Sequence, residues 1–439
     1  MNKKLLKNRN YMLVVLGNFV SLLGSNIQQF VLSLYVLALT GSATLFASML
    51  AISILPRIIL SPIAGVFGDW FNKKKSIVIL DIVNAIVIAG FAVMLFYNDV
   101  LTIGWIYLLV VLLEITEIFF HSSMSAVIPS VVEKDQLLEA NSLRTMVVSF
   151  GQLMAPIIGA LIYGVFGLFI ALIINAVSFL LSAISELFIV VPKSKSENNQ
   201  RSIKGFKKDV KEGFKLIKNS KPIRTLIAIA VVVNFSIAPL FSVGLIFLLR
   251  EVLLISEIQL GLFQTILISS MVIAPMLLTR KLKKLKLGDV LTKSFILVSF
   301  LIALISVSVF EPVLNINNGM ISYIYVIVIS FFIGIIVTAV NISVNTMIQR
   351  IVPIEFMGRT STVLGLFTAI SIPVGQMLFG VLYDIINPGL VIIFNGFIIL
   401  IAVLYYYKRI KMIDGHTEEI ENEIKMKELN QKGVVANEI

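Results

Sequence analysis

Of the 36 Lys and Arg residues in this chain of 439, all but Arg57 and Arg250 fall in seven clusters between or outside alternate pairs of long apolar stretches. The clusters run Lys3 to Arg9, Lys73 to Lys75, Lys134 with Arg144, Lys193 to Arg224, Arg280 to Lys293, Arg350 with Arg359, and Lys408 to Lys432. The links on the opposite side share a single base, Arg250. Cytoplasmic links of membrane proteins collect Lys and Arg, because translocating them is unfavourable. The pattern therefore predicts a chain that crosses a membrane many times, with both termini inside and an even number of spans.

Composition excludes the soluble alternatives. The chain is 58% hydrophobic and 14% charged, with a mean hydropathy of +0.98, whereas soluble domains carry roughly 25% charged residues. A net charge of +11 would point to nucleic acid in a soluble protein. Here the bases sit in short links beside anionic headgroups, so membrane lipids are the expected partners and nucleic acid is not. There is no cysteine, which removes disulfides, thiolate metal sites and cysteine catalysis. Residues 11–38 form an apolar stretch too long for a cleaved signal peptide and read as the first span.

A helix needs about 20 apolar residues to cross the hydrocarbon. Twelve such stretches are expected, at 11–38, 45–68, 76–97, 103–127, 142–164, 168–191, 223–249, 258–279, 292–310, 321–347, 360–383 and 389–407. Backbone groups in lipid must bond internally, so all twelve are helices. Outward links such as Thr40 to Thr44 and Val165 to Gly167 are so short that neighbours must run antiparallel. The expected organisation is a six-helix bundle over 1–192, a basic linker over 193–222, a second six-helix bundle over 223–408 and a cytoplasmic tail over 409–439. Within the linker, Ile203, Phe206, Val210, Phe214 and Ile217 recur at helical spacing opposite lysines, as in a helix lying in the headgroup layer. The tail reads as mobile or as a fraying helix. Weak similarity between Gly159-Ala160-Leu161-Ile162-Tyr163 and Gly380-Val381-Leu382-Tyr383 supports two related halves, an architecture that holds substrate between them near the midplane.

Span four carries Glu114, Glu117 and His121, which at 100° per residue lie within about 60° of one another. Ionisable groups inside a span usually face a cavity or mark a proton path. One of the two glutamates is expected to carry a coupling proton, with a buried structural network as the alternative. Arg57 falls at a comparable depth in span two and should pair with Glu117 or Glu114. Asp81 and Glu186 read as interfacial anchors away from this path. Polar residues recur at helical spacing on span one as Asn18, Ser21, Ser25 and Gln28 or Gln29, on span seven as Asn234 with Ser236, and on span ten as Thr338, Asn341 and Asn345.

Two motifs then suggest a family. After span two the chain reads Gly65-Val66-Phe67-Gly68-Asp69-Trp70-Phe71-Asn72-Lys73-Lys74-Lys75. Gly65, Asp69, Lys73 and Lys74 resemble the Gly-x-x-x-Asp-Arg-x-Gly-Arg-Lys link of the major facilitator superfamily, with Trp70 and Asn72 departing from it. Span five contains Gly151-Gln152-Leu153-Met154-Ala155-Pro156-Ile157-Ile158-Gly159-Ala160. Its Gly151, Pro156 and Gly159 resemble that superfamily's exporter-associated Gly-x-x-x-Gly-Pro-x-x-Gly-Gly, Ala155 and Ala160 serving as small substitutes. The stretch Asn18 to Ser25, continuing through Gln28-Gln29-Phe30 and later Glu139-Ala140-Asn141-Ser142-Leu143, is similar to the macrolide-efflux-type branch of drug:proton antiporters. The resemblance implies an all-α major facilitator fold of two pseudo-symmetric six-helix bundles. It also implies gating roles for Gly65, Asp69, Lys73, Lys74, Gly151, Pro156 and Gly159, and a path surrounded by spans one, four, seven and ten.

The function these features imply is export of amphiphilic small molecules, drug-like or macrolide-like, by proton antiport through the cell's inner or plasma membrane. Export of an endogenous metabolite such as a siderophore or peptide is the runner-up. No Gly-x-x-x-x-Gly-Lys-Ser/Thr phosphate loop occurs, so ATP does not drive it directly. An enzyme is not expected, because no second His in any span completes a metal site with Glu117 and His121. A monomer without cofactor is expected, with a small molecule and protons as its partners.

Overall fold

The computed structural model describes the chain apart from residues 1–4, 6, 58, 61–71, 134–135, 191–219, 283–284, 315, 353 and 437–439. The linker helix expected at 203–217 and the motif residues Gly65 and Asp69 lie outside the described residues.

The described chain is an all-α membrane protein. Ten helices are long and apolar enough to span a bilayer, and Ala43–Arg57 is a shorter apolar helix in the position of span two. Spans five and six form one uninterrupted run, Leu137–Leu187, broken only where Gly167 takes φ 75° and ψ −174°. Counting that break and the shorter helix, each of the twelve expected stretches is mainly helical over its described residues. Span seven, Lys221–Val252, widens into π-helical turns at Leu240–Gly244 and Leu248–Val252. The first follows Pro239, whose missing N–H cannot continue the regular ladder. The last helix runs from Pro388 to Ala436, so within the described residues the tail continues span twelve as helix.

Local chemistry sets the ends of the spans. Asn8 opens span one, Arg9–Thr40, by accepting from the Tyr11 amide at 3.2 Å. Gly41 closes it at φ 59°, a left-handed position natural to glycine. Ser42 then caps the helix Ala43–Ile52 by accepting from the Leu45 amide at 3.3 Å. Asn72 caps span three, Lys73–Asn98, in the same way.

Packing divides the chain into two compact units: residues 1–208, 241–268 and 376–385, and residues 209–240, 269–375 and 386–439. In the first, helices approach through small residues. A Cβ on Gly17 would lie 3.3 Å from Ser185, and one on Gly380 would lie 2.7 Å from Ala47 Cβ. In the second, Ser236 donates to Asn395 Oδ1 at 2.6 Å, Asn395 donates back to the Ser236 carbonyl at 3.0 Å, and Gly396 abuts the Ser299 carbonyl. Large apolar side chains such as Ile86, Phe96, Met276 and Phe397 point outward instead. Lipid rather than water surrounds these spans, so close packing and interhelical hydrogen bonds, not burial of oil, hold the helices together.

Candidate functional site

Span four is the helix Ile103–Val131, and its register brings the three ionisable residues to one face. Glu114 Oε1 accepts from Arg57 Nε at 2.7 Å and lies 2.6 Å from Arg57 Nη2. One turn inward, His121 Nε2 lies 3.3 Å from Glu117 Oε1. The Glu114 side chain is only 12% exposed against 57% for Arg57, so the carboxylate is set into the protein and the guanidinium reaches in to it. Glu117 and His121 both lie within electrostatic reach of Glu114. The four groups therefore form a line in which two adjacent carboxyls are flanked by Arg57 at one end and His121 at the other.

A recess opens beside this line. It is lined by Asn18, Ser21, Leu22 and Ser25 of span one, Asn84 of span three, Glu117, Phe120 and His121 of span four, and Phe179 of span six. Its free volume of about 10 Å³ suits about one water. In this arrangement it is too small for an amphiphile but has room for a water beside Glu117. Asn84 also accepts a hydrogen bond from Thr116 of span four, which ties spans three and four together beside the recess.

The other expected cavity residues are placed differently. Gln28 is buried, accepting from Asn175 Nδ2 of span six at 2.6 Å, and Gln29 is exposed. Asn234, Thr338, Asn341 and Asn345 belong to the second unit. There Asn234 donates to the Ala230 carbonyl and Thr338 to the Gly334 carbonyl, each on its own helix, while Asn341 and Asn345 are exposed.

Of the expected gating residues, Lys73 and Lys74 open span three, and Lys74 Nζ donates to the Leu187 carbonyl at the end of span six at 2.7 Å. Gly151 and Gly159 are seats for span one. A Cβ on Gly151 would lie 3.3 Å from Leu22, and one on Gly159 would lie 3.0 Å from Phe30. The Pro156 carbonyl faces Gly261 of span eight, where an added Cβ would come within 2.8 Å of it.

Two groups of residues escaped the sequence reading. Asp384, at the end of span eleven, accepts from the Ala43 amide at 2.7 Å, the Thr44 amide at 3.0 Å and the Ser42 hydroxyl at 2.7 Å. Span six presents Asn175, Ser178 and Ser182 along its buried face, in line with Glu186, a stripe whose helical spacing was available in the sequence. Asp81 and Glu186, expected as interfacial anchors, are instead fully buried. Both helices are rotated to turn those positions inward, between helices.

Comparison with known proteins supplies the family. The sequence profile described as Major Facilitator Superfamily matches residues 14–375. The chain belongs to the Major Facilitator Superfamily. Among superfamily relatives it is 24% identical over 225 residues to Macrolide efflux protein A of Streptococcus pyogenes, covering 51% of this chain and 55% of that protein. The chain thus spans about half the length of that curated relative. It is 23% identical over 372 residues to the uncharacterized MFS-type transporter YvqJ of Bacillus subtilis (strain 168), covering 81% of this chain and 82% of the relative. Among solved structures, a bacterial homologue of the iron transporter ferroportin in an inward-facing state matches with a TM-score of 0.71 at 16% identity, covering 93% of this chain and 99% of that one. At that identity the likeness speaks for the superfamily fold alone.

Proposed function

We propose that this transporter exports amphiphilic small molecules, drug-like or macrolide-like, in exchange for protons, from a cell membrane in which both its termini are cytoplasmic. The observation that carries the reading is the Arg57–Glu114 ion pair set beside Glu117 and His121. An arginine and two carboxylates within spans are costly in hydrocarbon, pair with one another or face a cavity, and usually mark a proton or ion path. Protonation of Glu114 releases Arg57, and a cationic cargo competes for the same carboxylates. The polar lining supplied by Asn18, Ser21 and Ser25 beside Phe120 and Phe179 would suit a ligand with both polar and apolar parts once alternating access widens the recess. The likeness to a macrolide efflux protein over about half its length supports the outward direction.

Alternating access would carry the exchange, with the glycine seats at Gly151 and Gly159 letting helices shift without losing contact. Gly65 and Asp69, with Lys73 and Lys74, would form the gate that the motif implies.

The test is a drug-accumulation panel in a host stripped of its own pumps, comparing the intact chain with Glu114→Gln, Glu117→Gln and the double variant, with and without an uncoupler. The reading expects lower accumulation with the intact chain, reversed by the uncoupler and by the double variant. Proton-coupled export that persists in the double variant excludes these acids as the coupling site.

A further inference from the structure

The buried acids outside the Arg57 line form a second group. Asp81 lies in span three and Glu186 in span six, both at 0% exposure, and neither oxygen of either carboxyl has a hydrogen-bond partner. Glu186 is close enough to Asp81 for the two charges to act on each other. The Ser182 hydroxyl, also at 0% exposure and also without a partner, sits beside Asp81 just short of hydrogen-bond geometry. A helical side chain leans toward the preceding turn, so Glu186 leans toward Ser182 and the three groups converge on one point between the helices.

Among the described residues, no hydrogen-bond donor reaches either acid. Span one packs against this stretch of span six through Gly17, whose added Cβ would lie 3.4 Å from Ser182 Oγ and 3.3 Å from Ser185. Span four contributes a further acid, Glu117, within electrostatic reach of Asp81, and Glu117 in turn faces His121. On span three the nearest base whose contact is resolved, Lys74, spends its ammonium on the Leu187 carbonyl. Two ionised carboxylates side by side, out of water and without donors, repel each other and forgo solvation. The same two carboxyls holding one proton between them have a donor and an acceptor, as carboxyl dyads do.

We propose that Asp81 and Glu186 form a shared proton-binding site between spans three and six, with Ser182 as its third polar group. Asn84, one turn along span three from Asp81, lines the recess beside Glu117 and His121. The pair therefore lies one turn from the recess, on the side of Lys74. It is a second station for a hydrogen ion passing between the recess and that end of the bundle. Its use in transport rests on the proton-coupled reading above, whereas its occupancy by a proton rests on burial and missing partners alone.

Infrared difference spectroscopy of the purified protein reads the site without any transport. The comparison is made in a Glu114→Gln, Glu117→Gln background, so that the first acid site is silent, with and without Asp81→Asn and Glu186→Gln. The carbonyl stretch of a protonated, unhydrated carboxylic acid is expected at neutral pH in the background protein and is expected to vanish when both further acids are amides. If the fourfold variant does not fold, either single amide must at least shift the band, because the remaining acid has lost its partner. An identical spectrum with and without the pair overturns the proposal. So does stabilisation of the wild type by sodium chloride over choline chloride that disappears in Asp81→Asn, Glu186→Gln, since that marks a metal cation as the occupant. Loss of coupling in Glu114→Gln, Glu117→Gln bears only on the first site.

Discussion

Replacing Asp384 should unprotect two particular amides and few others. The first N–H groups of any helix have no acceptor within it. At the helix that starts span two, Leu45 and Phe46 are served by the Ser42 side chain and carbonyl, while Ala43 and Thr44 depend on the two oxygens of Asp384. A hydrogen bond to a charged group contributes about 1.5–3 kcal/mol net, and a negative charge at a helix N-terminus adds about 0.3–1 kcal/mol. Asp384 is exposed, so the lower ends of these ranges apply. Asparagine keeps one acceptor oxygen but loses the charge and the second acceptor, a loss of about 1–2 kcal/mol, or a factor of roughly 5–30 in an opening equilibrium. Hydrogen–deuterium exchange read by mass spectrometry over residues 42–46 should accelerate by that factor in Asp384→Asn and by more in Asp384→Ala. Peptides from span three serve as the internal control. Unchanged exchange at 42–46, or equal acceleration in span three, would refute the capping argument.

The remaining predictions concern single contacts. Glu114→Gln should abolish gradient-driven flux in reconstituted vesicles while leaving the protein folded, because it removes the charge that holds Arg57; undiminished pH-driven flux would contradict this. Asn175→Ala strands the Gln28 carbonyl oxygen in a buried site, for an expected loss of about 1–3 kcal/mol, read as a lower melting temperature in detergent. Gly24→Val drives a branched side chain into Ser178 and Asn175 and should destabilise by about 1–3 kcal/mol or more. Gly167→Ala meets no atom within 4 Å but must hold φ 75° with ψ −174°, a region essentially reserved for glycine, so its loss of about 1–3 kcal/mol would be pure backbone strain, and Gly167→Asn should lose as much.

The number, lengths and order of the spans were legible because a bilayer imposes a length on every crossing and a charge bias on every link. Those constraints act on the chain residue by residue, so reading along the sequence recovers them. The short outward links told the same story, since Gly41 and Gly167 sit where left-handed backbone turns the chain. Even the pairing of Arg57 with span four followed from depth alone, because antiparallel neighbours can be aligned from their ends. What depth could not choose was the partner, Glu114 rather than Glu117.

Rotation about each helix axis was decided only by tertiary packing. Twelve largely apolar helices have weak amphipathic faces, because lipid and protein interior are both oily, and so the sequence carries little information about which side turns inward. That is why Gln28 met Asn175 rather than the recess, why Asp81 and Glu186 were buried between helices rather than at the interface, and why Asp384 found the start of a helix hundreds of residues earlier. The sequence by itself pointed to a multi-pass membrane chain of this superfamily with acids in its spans. Only the folded structure decided which of those acids meet a base, which meet a helix end and which meet each other, since such meetings depend on close packing between segments distant in the chain.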